Sequence, residues 1–247
     1  MMKVSINTAV FLAEMQAGSK QSDCLEKLIG KPIDNIEIRG EFLTKDAHGE
    51  LKLIAALCDE NHWGLYFSIP EELFSAGELN EAIFSYLKMA KENKVKGLKI
   101  GLGSFSELSA QAVVKLRKAL QVSEVKVTVE NQPNENGVLE TFSKNLSTVL
   151  NEIPELGFTF DSGNWYWVEE KPEEAFQQLK KDITLFHLKD IKKLDTVMLG
   201  EGETNWEKLV FELENKVPVF LEYAIDEHLL DQEINKVNSK LKKCLHF

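Results

Sequence analysis

Arginine is scarce in this chain: Arg39 and Arg117 are the two in 247 residues. The guanidinium fork is the side chain best matched to phosphate, so a heavily phosphorylated ligand is disfavoured. The formal net charge of -11 repels phosphate backbones, which argues against nucleic acid as a partner. The three cysteines, Cys24, Cys58 and Cys244, are far apart and show no CxxC spacing, so three reduced thiols are expected. There is no GxGxxG and no Walker-type loop, the usual phosphate cradles of open α/β sheets. No apolar run approaches 18 residues, so no membrane span is expected. Met1 to Ile6 lead straight into a strand without a signal-peptide apolar region, so the protein is expected to be cytoplasmic.

What the chain does have is alternation. Hydrophobic residues make up 43% and charged residues 28%, ordinary for a globular protein. Short β-branched or aromatic runs are followed, again and again, by longer amphipathic ones, as parallel strands with crossover helices require. Strands are predicted at 3–7, 35–39, 64–68, 97–101, 125–130, 157–161, 183–189 and 217–222. Helices are predicted near 22–29, 46–62, 79–93, 106–120, 139–150, 172–180, 205–214 and 228–243. Gly30 and Gly64 follow helix ends and Pro172 opens a helix. Eight of each, with no linker, predict an α/β fold: a single (β/α)8 TIM barrel domain over residues 1–247.

Alternate residues of a barrel strand point outward to the helices and inward to the axis. Val4, Ile6, Ile36, Ile38, Val127, Val129, Phe158, Phe160, Phe186 and Leu188 take outward positions. Ser5, Asn7, Glu37, Arg39, Lys99, Thr128, Glu130, Asp161, His187, Lys189 and Glu222 take inward ones. The inward charges sit mostly at strand C-terminal ends, the active-site face of barrel enzymes.

Four consecutive strands end in Glu130, Asp161, His187 and Glu222. With strands about 4.8 Å apart, these side chains converge. Three carboxylates without a cation repel one another. Three oxygen donors and one imidazole suit one divalent metal, Mn²⁺ or Mg²⁺ best, with Co²⁺, Zn²⁺ and Fe²⁺ as alternatives.

Here the sequence resembles a known group. Glu-Asn at 130, Phe-Asp-Ser-Gly-Asn at 160, His-Leu-Lys-Asp at 187, Gly200-Glu201-Gly202 with Asn205-Trp206, and Leu-Glu-Tyr at 221 look like the sugar isomerase and epimerase barrels of the xylose-isomerase-like superfamily. By that resemblance, Glu130 and Glu222 are metal ligands and the catalytic acid/base pair, and Asp161 and His187 are ligands alone. The resemblance has departures. Asn164 stands where the epimerases carry His, Lys193 where they carry Arg, and Ser68 where many relatives carry a third-strand His. The DNA-repair endonuclease of the superfamily needs a His-rich three-zinc cluster; of the five His here, His187 alone falls on a strand end.

Other inward or nearby residues are candidate substrate contacts: Glu37 and Arg39 gripping hydroxyls or pairing with each other, Lys99 and Lys189 polarising an oxygen or neutralising the ring, Asn164, and Trp165 with Trp167 as an aromatic lid. Phe11 is a weaker case of the same kind. Asn131 is expected to support Glu130, and Trp206 to pack at its helix start. The function expected is a metal-dependent isomerase or epimerase of a small sugar, polyol-derived ketose or related hydroxy-carbonyl compound, acting through an enediolate. The alternatives are a related metal-dependent dehydratase and a non-catalytic sugar-binding barrel. The partner is then a small sugar-like molecule, with neither nucleic acid nor membrane, and a homo-oligomer stays open.

Overall fold

The computed structural model describes residues 2–43, 47–214 and 216–243. Asp46, predicted to begin a helix, and Cys244 and His246 lie outside the described residues. Eight parallel strands form the barrel: β1 (Ser5–Asn7), β2 (Asn35–Arg39), β3 (Gly64–Ser75), β4 (Gly97–Gly103), β5 (Lys126–Glu130), β6 (Leu156–Asp161), β7 (Ile183–Leu188) and β8 (Val219–Leu221). Each pairs with the next, and β8 pairs back on β1 through Ser5 with Phe220 and Ile6 with Leu221, which closes the ring. The predicted barrel is the fold observed.

Helices follow the strands close to where the pattern puts them, and their starts have local causes. Ser109 caps the helix Ala110–Ser123 by accepting from the Ala112 N–H, so that helix begins later than predicted. Pro172 occupies the first turn of Pro172–Leu179, and Asn205 caps Trp206–Glu212. One predicted stop differs. After Ala47–Glu60 the left-handed residue is His62, with φ 59°, not Gly64. Gly64 instead leaves room for the side chains of Asn35 and Lys96, whose ends a Cβ there would displace.

Local elements beyond the predicted ones surround the C-terminal mouth. Thr8–Phe11 and Leu12–Gln16 form short helical turns after β1. β3 runs on past a bulge to Ser75 and pairs with Glu78–Leu79. A hairpin joins Asp190–Lys192 to Asp195–Val197 beyond β7, turning at Lys193 and Leu194, both with positive φ.

Outward residues of β6 and β7 build an aromatic shell against the helices. Phe160 stacks on Phe186 with centroids 5.4 Å apart, and Phe142, Phe176 and Trp165 pack around them. Inward, Tyr66 meets Phe220 edge-on at 5.2 Å and plugs the middle of the barrel. Above that plug lies the charged ring. Among the described residues no helix is long and apolar enough to cross a membrane.

Candidate metal centre

Strand parity delivers Glu130, Asp161, His187 and Glu222 to one point at the C-terminal mouth. All four are buried, and one ligand atom from each lies within 4.8 Å of the others. Three of those atoms crowd the imidazole: His187 Nδ1 is 2.7 Å from Glu222 Oε2, 3.0 Å from Glu130 Oε1 and 3.9 Å from Asp161 Oδ2. None of these approaches has hydrogen-bond alignment. Glu130 Oε1, Glu222 Oε2 and both His187 nitrogens are buried without a hydrogen-bond partner among the described residues. Buried polar atoms left unpaired are costly, and the set that faces the centre of the ring through His187 Nδ1 could hold a divalent cation.

The turn after β6 prepares Asp161 for that role. Its Oδ1 accepts the N–H groups of Gly163 (2.8 Å) and Asn164 (3.0 Å), which leaves Oδ2 facing the ring, where Lys189 Nζ donates to it at 2.6 Å. Asn131 clamps the Asp161 backbone on both sides, donating to its carbonyl and accepting from its N–H. Asn164 donates its amide to the Asn131 carbonyl at 2.8 Å. Asn131 therefore steadies Asp161 as well as standing beside Glu130, and Asn164 is spent on the same turn.

Three cations thread the ring. Lys99 Nζ lies 2.8 Å from Glu130 Oε2. Lys189 Nζ bridges Asp161 Oδ2 (2.6 Å) and Glu222 Oε2 (3.1 Å). Arg39 Nη1 reaches Glu222 Oε1 at 3.0 Å while its other nitrogens hold Glu41. Of the two alternatives for Glu37 and Arg39, gripping hydroxyls or pairing with each other, the second is not formed: Glu37 lies instead 3.0 Å from His187 Nε2. Buried Gln21 fixes the Arg39 backbone through its N–H and carbonyl. In all, five carboxylates (Glu37, Glu41, Glu130, Asp161, Glu222) face three cations in one connected network. The shortfall of two positive charges is what one divalent ion supplies.

The titration behaviour follows. Burial works to raise the Glu222 pKa, but His187 and Lys189 beside it hold it well below the usual carboxylate range. Burial likewise opposes ionisation of Glu130, and Lys99 and His187 win, keeping it low. Asp161 goes the other way: burial, reinforced by Glu222 and Glu130 and opposed by Lys189, pushes it up to about 6. Burial works against a charged His187, yet Glu222 and Glu37 raise it well above its ordinary value. Without a cation, the ring recruits a proton onto the imidazole.

Two expectations need correction. Trp165 forms no lid: it is 0% exposed, and its ring is held 5.5 Å from Phe160 and 5.8 Å from Phe142. The aromatic shell offers it more contact than the mouth does. Trp167 is the exposed one, at 41%. Phe11, too, is buried in the core. Trp206 packs in the core at its helix start, as expected. The sequence reading placed Asn7 inward without giving it a role. Its amide donates to Glu37 Oε1 at 2.6 Å and approaches Glu222 Oε1 at 3.3 Å. Its strand-end position at inward parity was the available signal. Asp190 was missed as well; it accepts from the N–H groups of Gly200, Gly202 and Thr204 and shapes the loop beside the mouth.

The fold is a closed parallel barrel with a buried carboxylate–imidazole cluster at its C-terminal mouth that could hold a divalent metal. Residues 102–240 match the model of the xylose isomerase-like TIM barrel family, and the chain belongs to that family. The fold is similar to that of a D-tagatose 3-epimerase-like protein (19% identity, TM-score 0.71, covering 99% of this chain and 97% of that one). It is similar also to a probable 3-DHS dehydratase involved in petrobactin synthesis from Bacillus anthracis (18%, TM-score 0.71, 95% and 98%). A third likeness is to D-psicose 3-epimerase from Clostridium cellulolyticum H10 (14%, TM-score 0.69, 100% of each chain). At these identities the likeness is one of fold. No curated protein matches the chain.

Proposed function

We propose that this protein is a divalent-metal-dependent isomerase or epimerase of a small sugar or related hydroxy-carbonyl compound. The observation that carries the reading is the convergence of buried ligand atoms from four successive strand ends, those of Glu130, His187 and Glu222 without a hydrogen-bond partner. Glu130, Asp161, His187 through Nδ1, and Glu222 would hold the ion. Their oxygen-rich set favours Mn²⁺ or Mg²⁺. Such an ion, when bound, polarises a carbonyl and the neighbouring hydroxyl and so acidifies the C–H between them.

Proton transfer falls to Glu130 and Glu222. They enter from β5 and from the end of β8, so one can remove a proton from a carbon that the other re-protonates, which is the sequence an epimerisation needs. Lys99 at Glu130 and Lys189 at Glu222 keep both carboxylates ionised. Arg39, partly exposed, and Lys189 are the most exposed cations of the network and are the donors available to substrate oxygens. With the ion included, the network's formal charge is zero, which suits an uncharged polyol-type substrate. A dehydratase is the nearest variant of this chemistry, because an enediolate can also expel a β-hydroxyl.

The test is elemental analysis of the purified protein and of His187→Ala. About one divalent ion per wild-type chain, lost in the variant, is expected. A panel of ketoses and hydroxy-carbonyl compounds should then show turnover that Glu222→Gln abolishes while the fold survives. An absence of ion after incubation with Mn²⁺ overturns the reading. A sugar bound tightly and recovered unchanged across the panel would favour a binding barrel.

A further inference from the structure

The two nitrogens of His187 face different surroundings. Nδ1 looks into the ring, where Glu222, Glu130 and Asp161 surround it. Nε2 looks away from it and meets a single carboxylate, Glu37, at 3.0 Å. Glu37 is 0% exposed, on the inward face of β2. Its Oε1 also accepts from the Asn7 amide at 2.6 Å, and Asn7 is fixed in turn by the Ala9 N–H, which donates to its Oδ1 at 2.8 Å. Its Oε1 is thus shared between Asn7 and the imidazole, while its Oε2 is buried without a hydrogen-bond partner.

We infer that Glu37 is a positioning residue for the metal centre. At 3.0 Å from Nε2, close but not in hydrogen-bond alignment, it is placed to take the Nε2–H of His187 when an ion orients the ring, and would thereby fix the tautomer that leaves Nδ1 free to ligate. A carboxylate behind a ligating imidazole sets the ring's orientation and raises its basicity. The same Asn7 amide reaches Glu222 Oε1 at 3.3 Å, so one side chain from β1 registers the imidazole support and the last ligand together. Its inward position at the end of β2 makes Glu37 a candidate substrate contact; the geometry gives it to His187. This inference rests on the proposed metal centre.

The experiment is calorimetric titration of Mn²⁺ into the wild type, Glu37→Gln and Glu37→Ala at fixed pH, with ¹⁵N histidine spectra of the Zn²⁺-loaded wild type. Glu37→Ala should bind Mn²⁺ about 10–100-fold more weakly. Glu37→Gln keeps an acceptor oxygen and should recover most of that loss. In the loaded wild type, His187 should carry its proton on Nε2. Unchanged Mn²⁺ affinity in Glu37→Ala with a raised KM alone would return Glu37 to the substrate and overturn the inference. Equal losses in both variants would make it a direct ligand and overturn it too. A proton on Nδ1 in the wild type overturns it without recourse to any variant, so it is decided even if Glu37→Ala does not fold. A wild type that takes up no ion removes the metal reading and this inference with it, an outcome distinct from normal uptake with an indifferent Glu37.

Discussion

The two mouths of this barrel are built on opposite principles. At the C-terminal mouth the charges are buried, packed against one another and tied into one network. At the N-terminal mouth lies an open cavity of about 580 Å³, with Tyr66, Thr128, Thr184 and Leu185 among its floor residues. Its lysines, Lys96, Lys126 and Lys216, are exposed at the rim. Its acids are already engaged: Asp34 Oδ2 accepts from the Lys3 N–H, and Arg117 holds Glu155 with two nitrogens. The open cavity is therefore the quieter mouth. Room alone does not mark a site. Ionisable groups held where they would not otherwise ionise do, because each is stable only while its neighbours stay in place.

The comparison can be broken or sharpened by substitution. The largest effect is expected at Lys189, whose ammonium bridges Asp161 and Glu222. Lys189→Met leaves two buried carboxylates facing each other and should cost about 3 kcal/mol in the metal-free protein, the low end for breaking a buried ion pair. Urea unfolding with and without saturating Mn²⁺ checks this. The loss should shrink when the ion takes over the charge; an equal loss in both conditions would mean that Lys189 works through packing alone.

A steric effect is expected at the N-terminal mouth. A Cβ on Gly97 would meet the Tyr66 ring at 2.6 Å. Gly97→Ala should destabilise by about 1–3 kcal/mol as the Tyr66–Phe220 plug shifts. The same variant should leave Mn²⁺ affinity unchanged. A fall in affinity would show that the plug transmits strain to the ring and that the two mouths are coupled.

The smallest effect concerns the wall between strands and helices. Burial pushes the Cys58 thiol up to about 12 and, aided by Glu14, the Cys24 thiol to about 11. In a Cys244→Ser background, neither should react with a thiol reagent at pH 8 until the protein unfolds. Both folded values lie above the ordinary 9.0. The unfolded chain therefore releases these protons first, and stability should decline as pH rises above about 9. Rapid labelling of the folded protein would show that the helical layer opens locally.

Much of this was legible before any coordinates. Inward and outward alternation in segments such as Val4–Asn7, Ile36–Arg39 and Val127–Glu130 identified the strands and their faces. Charges at the inward ends identified the ring, because carboxylates are not put there without a cation to meet. Other parts had no readable signal. The hairpin at Lys193 and Leu194 turns with positive φ at residues that carry no Asn or Gly, so its turn chemistry is silent. Trp165 reads equally well as lid or shell; the aromatic cluster of Phe142 and Phe160 decides for the shell. Asn164 matches a substrate-binding position by motif, yet its amide is claimed by the Asn131 carbonyl.

The sequence by itself determined the barrel, the parity of its strands and the four residues at the centre. Those follow from local periodicity and from the cost of inward charge, which each segment carries on its own. The tertiary structure alone decided the partners: that Glu37 turns to His187 and not to Arg39, that Arg39 spans to Glu222, and that Lys189 bridges two carboxylates. Parity says which way a side chain points. Which neighbour it meets depends on ring closure, which sets β1 between β2 and β8 and brings residues more than two hundred positions apart within hydrogen-bonding distance.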